Sequence, residues 1–196
     1  MSKGVTKRAN ILDEESILDV MEHIDKHSRE PLRDRLLVLL TCRLGLRAQE
    51  AARVCFEDIL DARGRLKPVF FVTSRSAKYG KARNLPMHPQ VKEALLAYLE
   101  QAPKQVKGPL FHNQFNEALT SEAVQKQLSR LYNGVGLHGC SSHSGRRTFG
   151  TRCAQNLAKI GGTMIDLAHL MGHSSIATTQ IYVDHSPRQA ELVMML

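Results

Sequence analysis

The stretch that decides the interpretation of this chain is Leu170-Met-Gly-His-Ser-Ser-Ile-Ala-Thr-Thr-Gln-Ile-Tyr182. It places a histidine immediately after a glycine that is predicted to end a helix, and a tyrosine nine residues beyond that histidine. Taken alone, neither residue indicates a function. A tyrosine between Ile181 and Val183 is more often a core residue than a nucleophile. The other polar clusters of the sequence are therefore needed to choose between these two roles.

Three other kinds of site can be weighed against these residues. His169 and His173 have the i and i+4 spacing of metal-binding histidines, but position 170 is Leu where a metalloprotease needs its general base. Cys140 precedes His143 without a residue to orient the pair. Gly80 and Lys81 lack the rest of a phosphate-binding loop. The sequence therefore predicts no metal site and no cofactor.

The polar clusters make chemical sense when they are taken together. They lie at Gly45-Leu-Arg47-Ala-Gln-Glu50, at Lys78-Tyr-Gly-Lys81, at His143-Ser-Gly-Arg146 and in the stretch quoted above. Arginine forks can stabilise the extra negative charge of a phosphoryl transition state without a metal. A phenol can attack phosphorus, and a lysine can protonate the leaving sugar oxygen. This combination indicates phosphodiester transesterification.

In this order the motifs resemble the catalytic domain of the tyrosine recombinase (phage integrase) family, from about Asn10 to Asp184. The resemblance also rests on Lys78-Tyr-Gly-Lys-Ala-Arg-Asn-Leu-Pro86 and His143-Ser-Gly-Arg-Arg-Thr-Phe149. It implies an α+β, mainly α-helical catalytic domain with a small antiparallel β-sheet. The implied enzyme is a site-specific DNA recombinase that cleaves and rejoins strands through a 3′-phosphotyrosine, without metal or ATP.

The resemblance implies six catalytic residues, which are Arg47, Lys78, His143, Arg146, His173 and Tyr182. The two arginines would bind the scissile phosphate, and His173 would donate to a non-bridging oxygen. Lys78 would protonate the leaving 5′ oxygen, His143 would handle a proton beside the phosphate, and Tyr182 would be the nucleophile.

Two assignments within this set have competitors, and Glu50, outside the set, has two interpretations. The family pattern places the histidine directly after the glycine, which selects His173 over His169. The family position of the hairpin lysine favours Lys78 over Lys81. Glu50 either holds Arg47 or a histidine in place or is an exposed helix carboxylate.

Charge identifies the expected partner. Lys and Arg number 27 against 19 Asp and Glu, which gives a net charge of +8, and the pI is near 9.5. Such an excess favours a polyanion, and the resemblance implies double-stranded DNA bound by a homotetramer. The residues that we expect to contact DNA outside the catalytic set are Lys81, Lys126, Arg130 and Arg147. Lys126 and Arg130 share one helix face, which either contacts DNA or is simply solvated.

Two features indicate where the protein works. No apolar run approaches the roughly 20 residues of a spanning helix, so no membrane role is expected. Four dispersed cysteines and a start without an apolar stretch indicate buried, reduced thiols in a cytoplasmic protein.

Helices are predicted to begin near Asp13, at Pro31, near Arg47, at Pro89 and at Ser121. Strands are predicted at residues 68–73 and 82–87 around a turn at 78–81, and three or four short helices after Ser144.

We expect a basic tail (1–9), a catalytic domain (10–184) and a tail (185–196) that docks on a neighbouring protomer or on its own domain. No N-terminal core-binding domain is expected. Gly145 and Arg147 stand where many family members have Leu and His.

Two other functions share parts of this pattern. One is DNA relaxation like that of type IB topoisomerases, which use the same chemistry. The other is a DNA-binding regulator that keeps the fold and has lost catalysis. The second is less favoured, because all six catalytic positions carry competent residue types.

Overall fold

The structure, a computed structural model, describes residues 9–73, 82–101 and 105–182. The chain divides into two compact units, residues 1–149 and residues 150–196. The predicted hairpin turn with Lys78 and Lys81, most of the predicted basic tail (1–8) and the predicted C-terminal tail (185–196) lie outside the described residues.

The described part of the first unit contains helices and one two-stranded antiparallel sheet. Its helices are α1 (Glu14–His27), α2 (Pro31–Leu44), α3 (Ala48–Ala52), α4 (Phe56–Ile59), α5 (Pro89–Gln101) and α6 (Ser121–Gly134). The strands are β1 (Val69–Val72) and β2 (Arg83–Pro86). The boundary between the units falls within helix α7 (Ser144–Asn156). A 3₁₀ turn (Leu157–Ile160), α8 (Met164–Met171) and α9 (Ile176–Gln180) belong to the second unit.

Helix α2 is the centre of the first unit. Leucine or another apolar residue occupies almost every position from Leu36 to Leu44, and these side chains are buried on all sides of the helix. A helix that is apolar all round has to be enclosed by other elements. Helices α1, α5 and α6 pack against α2 and provide that enclosure.

The end of α2 leads directly to Arg47, in the first of the polar clusters. Gly45 ends the helix in the left-handed conformation, with φ of 65°, which glycine adopts at little cost. A side chain at this position would also overlap the ring of Phe149. Arg47 then forms the N-cap of α3, and its backbone N–H donates to the Glu50 carboxylate at 2.8 Å.

The sheet turns one basic side chain towards the interior. In β2, Arg83 and the buried Leu85 are two residues apart and therefore lie on the same face. Arg83 stands opposite Val72 of β1. The strand thus carries a guanidinium group into the unit on its buried side.

Most sequence-based expectations of secondary structure are confirmed. Asp13 caps α1, Pro31 begins α2, and both predicted strands form an antiparallel pair. Helix α4 was not predicted, because it is only a single turn. Its N-cap residue is Cys55, whose backbone N–H donates to the Asp58 carboxylate at 2.8 Å.

The expectation that the cysteines are buried is wrong for three of the four. Cys42 is buried, but Cys55, Cys140 and Cys153 are partly exposed. Among the helices that the structure describes, none is long and apolar enough to cross a membrane.

The first turn of α7 lies unusually close to α2. A Cβ atom added at Gly145 would overlap Thr41 Oγ1 and would lie 2.8 Å from Thr41 Cβ and 3.0 Å from Cys42 Sγ. The Thr41 hydroxyl is buried and donates to the Val38 carbonyl at 2.9 Å. The glycine therefore allows the close approach that brings Arg146, the next residue, to the end of α2.

We expect Gly145→Ala to lower the free energy of unfolding by about 1–3 kcal/mol, the usual cost of overpacking a filled core. Helix propensity alone acts in the opposite direction, by about 1 kcal/mol, so a loss of stability isolates the steric effect. Urea unfolding measures it. In Thr41→Ala protein, where the overlapping oxygen is gone, the same substitution should cost less. Equal costs in the two backgrounds would contradict this account of the α2–α7 contact.

Candidate active site

A buried carboxylate organises the polar centre of the first unit. Glu50 is 1% exposed. Arg47 Nη1 donates to it at 2.8 Å, and the two terminal nitrogens of Arg83 donate to its two oxygens at 3.0 and 2.9 Å. Arg146 Nη1 lies 3.8 Å from Glu50 Oε2. Three guanidinium groups therefore surround one carboxylate and leave an excess of positive charge.

The surroundings of Glu50 keep it ionised. Burial by itself raises the pKa of a carboxyl group. Here the hydrogen bond and charge of Arg83, the backbone N–H of Arg47 and the charge of Arg146 outweigh burial and lower the pKa of Glu50 to about 2. The carboxylate is therefore charged at neutral pH and holds its arginines by charge-assisted hydrogen bonds.

A small pocket of about 120 Å³ opens beside this cluster. Arg47, His143 and Arg146 line it together with Ser121, Gln125 and Ser142. The Arg146 side chain is 7% exposed and also donates to the Gly45 carbonyl, so its position is fixed. Two guanidinium groups at the wall of one small pocket form a site suited to an oxyanion such as a phosphate group.

Helix α7 contributes its N-terminal end to the same pocket. His143 is exposed and immediately precedes the helix, and Arg146 lies in the first turn. Ser144 is buried, and its hydroxyl accepts from the Ser141 backbone N–H at 3.0 Å, which holds the turn before the helix. The positive end of the helix dipole adds to the attraction of the arginines for an anion.

The second unit brings His173 and Tyr182 together. Their rings are stacked, with centroids 6.1 Å apart and an interplanar angle of 8°. The Tyr182 ring also lies on the backbone of Gly150, where an added Cβ would come within 2.7–2.9 Å of three ring carbons. The absence of a side chain at Gly150 therefore lets the ring pack directly against the backbone.

Thr179 fixes the histidine of this pair. The threonine is fully buried, and its hydroxyl oxygen lies 2.9 Å from His173 Nδ1. Such a bond orients an imidazole ring and selects its tautomer. Any donation from His173 to a substrate then has to come from Nε2. His169, the competing histidine, is exposed on α8.

The other basic residues named from the sequence lie in several places. Lys78 and Lys81 are outside the described residues. Lys126 and Arg130 are exposed on α6, and both border a shallow depression that reaches His143. Lys126 also pairs with Glu122 at 2.8 Å. Arg147 is partly buried and donates to the Ala9 carbonyl at 2.5 Å, so it ties the start of the described chain to α7.

Sequence reasoning missed Arg83 as a site residue. A signal was present, because the strand alternates and puts Arg83 on the same face as Leu85. A charged residue on the buried face of a strand needs a buried partner of opposite charge. Thr179 and Gly150 were also missed, and their roles come from contacts that spacing does not reveal.

Comparison with known proteins agrees with these features. The sequence pattern described as the phage integrase family matches residues 10–189. The chain belongs to the phage integrase family. Its fold is that of the tyrosine recombinase catalytic domains, which confirms the predicted α+β, mainly helical class.

Individual relatives give the extent of the likeness. The chain is 30% identical over 171 residues to tyrosine recombinase XerD of Corynebacterium glutamicum, covering 85% of this chain and 53% of the relative. It is 28% identical over 188 residues to XerC of Rickettsia africae, covering 93% of this chain and 58% of the relative. The chain therefore spans about half the length of the curated relatives it matches.

A solved structure shares the fold at low sequence identity. The integrase of the Tn1549 transposon, solved in complex with circular intermediate DNA, superposes with a TM-score of 0.75 at 21% identity. The match covers 100% of this chain and 67% of that one.

The lowered pKa of Glu50 predicts a specific acid sensitivity. Its ionised form is favoured in the folded state, so its contribution to stability is complete above the unfolded pKa, near 4.5, and is lost as pH falls towards about 2. The contribution amounts to about 3 kcal/mol. In Glu50→Gln this part of the pH dependence should be missing when urea unfolding is compared at pH 5 and pH 2.5. Glu15→Gln removes an exposed carboxylate of α1 and is the matched control; equal acid sensitivity of Glu50→Gln and wild type would contradict the assignment.

Removing the Thr179 hydroxyl should change the hydrogen bonding of the His173 ring at Nδ1. We expect Thr179→Val to change the ¹⁵N chemical shifts of Nδ1 and Nε2 of His173 and to cost about 1 kcal/mol of stability, because a buried hydrogen bond is lost. Long-range ¹H–¹⁵N NMR measures the shifts. Thr178 is its exposed neighbour on the same helix, and Thr178→Val should leave them unchanged. Identical spectra for the two variants would refute a bond between Thr179 and His173.

Proposed function

We propose that the protein cleaves and rejoins DNA strands at specific sites through a covalent 3′-phosphotyrosine on Tyr182. The observation that carries this proposal is the pocket at which Arg47, Arg146 and His143 meet. Fixed guanidinium groups around a small pocket can bind the non-bridging oxygens of one phosphate and stabilise the charge that develops there. The DNA complex of the related Tn1549 integrase supports a DNA substrate.

The proposed chemistry conserves bond energy. The Tyr182 oxygen attacks phosphorus while the bond from phosphorus to the 5′ oxygen breaks. The tyrosine proton passes to a base, and the 5′ oxygen takes up a proton and leaves as a hydroxyl. We assign these proton transfers to His143 and Lys78, the latter on its sequence position alone. The phosphotyrosine is then attacked by the 5′-hydroxyl of a partner strand, so ATP hydrolysis and a metal are not required.

The second unit supports Tyr182 as the nucleophile and His173 as a donor to the phosphate. The Tyr182 ring packs against Gly150 and stacks on His173, and these contacts restrict its orientation. Restricting a nucleophile before reaction lowers the entropic part of the barrier. Thr179 does the same for His173.

The proposed assembly is a homotetramer on DNA. Each chain supplies one Tyr182 and can therefore hold one broken strand. Reciprocal exchange between two duplexes breaks four strands, so it needs four chains. The exposed basic side chains of Lys126 and Arg130 extend the depression at His143 and are proposed as additional DNA contacts.

A nicked suicide substrate tests the proposal. A pool of randomised duplexes carries nicks that let the released strand diffuse away, so that cleaved DNA stays attached to protein. We expect a covalent adduct in EDTA without nucleotide, and a released end that polynucleotide kinase labels directly, because it is a 5′-hydroxyl. Sequencing the captured DNA identifies the target site.

Two variants make this test specific. Tyr182→Phe should reduce the adduct at least about a hundredfold, because the attacking oxygen is removed. Tyr98→Phe should leave it unchanged, since the Tyr98 hydroxyl donates to the Leu110 carbonyl within the first unit. An adduct that survives in Tyr182→Phe would overturn the proposal.

Two further outcomes would replace it with another function. Relaxation of supercoiled DNA without exchange between duplexes would assign the chain to topoisomerase-like activity. Binding of DNA without adduct on any substrate would make it a regulator.

A further inference from the structure

Arg83 is a buried cation for which the proposed reaction has no role. Its side chain is 7% exposed, and it does not line the pocket at Arg47 and Arg146. Its two terminal nitrogens face the two oxygens of Glu50 at 3.0 and 2.9 Å. Such paired, charge-assisted hydrogen bonds are stronger than hydrogen bonds between neutral groups.

Glu50 is also in contact with the arginines that do line the pocket. Arg47 Nη1 donates to Glu50 Oε1 at 2.8 Å, and Arg146 Nη1 is 3.8 Å from Oε2. A carboxylate so close to two phosphate-binding groups competes with the phosphate for them. In a buried setting this competition is strong, because the charges are weakly screened.

We propose that Arg83 is a positioning residue that balances the negative charge of Glu50, so that the positive charges of Arg47 and Arg146 remain available to a phosphate group. The three arginines and Glu50 together carry a charge of +2. Glu50 then serves as a support that orients Arg47 rather than as a competing anion. This inference rests on the proposed function, and it concerns the same pocket.

Charge compensation distinguishes this role from a purely structural one. Arg83→Met reduces the charge of the cluster from +2 to +1, and adding Glu50→Gln restores it to +2. If Arg83 acts by balancing charge, the second substitution rescues the first. If Arg83 only supports the fold, removing its partner as well gives no gain in function.

The first arm of the test uses inorganic sulfate as the probe and does not depend on catalysis. Sulfate binding is followed through the Nε–H NMR signals of Arg47 and Arg146 at constant ionic strength. We expect Arg83→Met to weaken sulfate binding about tenfold, and the double variant to return to within about threefold of wild type. Glu50→Gln alone should bind sulfate more tightly than wild type.

The second arm uses the adduct assay at saturating DNA. Arg83→Met should slow formation of the Tyr182 adduct about a hundredfold and change DNA affinity less than about threefold, because the proposed DNA contacts of Lys126 and Arg130 lie outside this pocket. The double variant should recover most of the rate. Arg83→Lys keeps the charge without the paired hydrogen bonds, so its rate should be intermediate.

Matched controls separate these effects from loss of folding. Arg65 pairs with Asp61 at 2.8 Å on the surface, and Arg65→Met should change neither arm. Urea unfolding of every variant reports stability. If Arg83→Met does not fold, the other two variants still test the inference. Charge balance requires that Glu50→Gln binds sulfate more tightly than wild type and that the double variant binds it about as tightly as wild type.

Two results overturn the inference. One is a folded double variant that is no better than Arg83→Met in either arm. The other is equal sulfate affinity in wild type, Glu50→Gln and the double variant. Failure of the proposed function has a different signature, since wild-type protein would then form no Tyr182 adduct while the sulfate arm still reports on Arg83.

Discussion

The Glu50 carboxylate is the interaction on which the first unit's polar centre depends. It caps α3 through the Arg47 N–H, holds the Arg47 side chain, and receives Arg83 from β2. A buried carboxylate without such partners would cost several kcal/mol. The helix, the strand and the first turn of α7 are therefore held in one arrangement by a single charged group, and that arrangement sets the shape of the pocket.

Helix α7 shows how packing supports this arrangement. Gly145 lets the helix approach α2, and the following residue, Arg146, reaches the Gly45 carbonyl where α2 ends. Gly45 in turn leaves room for Phe149, one turn further along α7. The two glycines, Gly45 and Gly145, thus allow the close approach of α7, which carries Arg146, to the apolar helix α2. The position of the guanidinium group follows from steric fit as much as from electrostatics.

The sequence was most informative where a local rule applies. Helix starts at Asp13 and Pro31, the stop at Gly45 and the strand pair follow from capping, backbone conformation and alternation, which act over a few residues. Motif order identified the family. Arg83, Thr179 and Gly150 could not be found this way, because their importance comes from side chains that only the fold brings near them. For Arg83 the distance along the chain to Glu50 is 33 residues.

The contact between Gly145 and Thr41 links two positions that are 104 residues apart in the sequence. They share a single volume, so the side chain allowed at one position depends on the side chain present at the other. A leucine at position 145 would need the space that Thr41 occupies, so it requires a smaller residue at position 41 or a shift of α7 away from α2. A larger side chain introduced into this part of α7 therefore needs a matching change on α2.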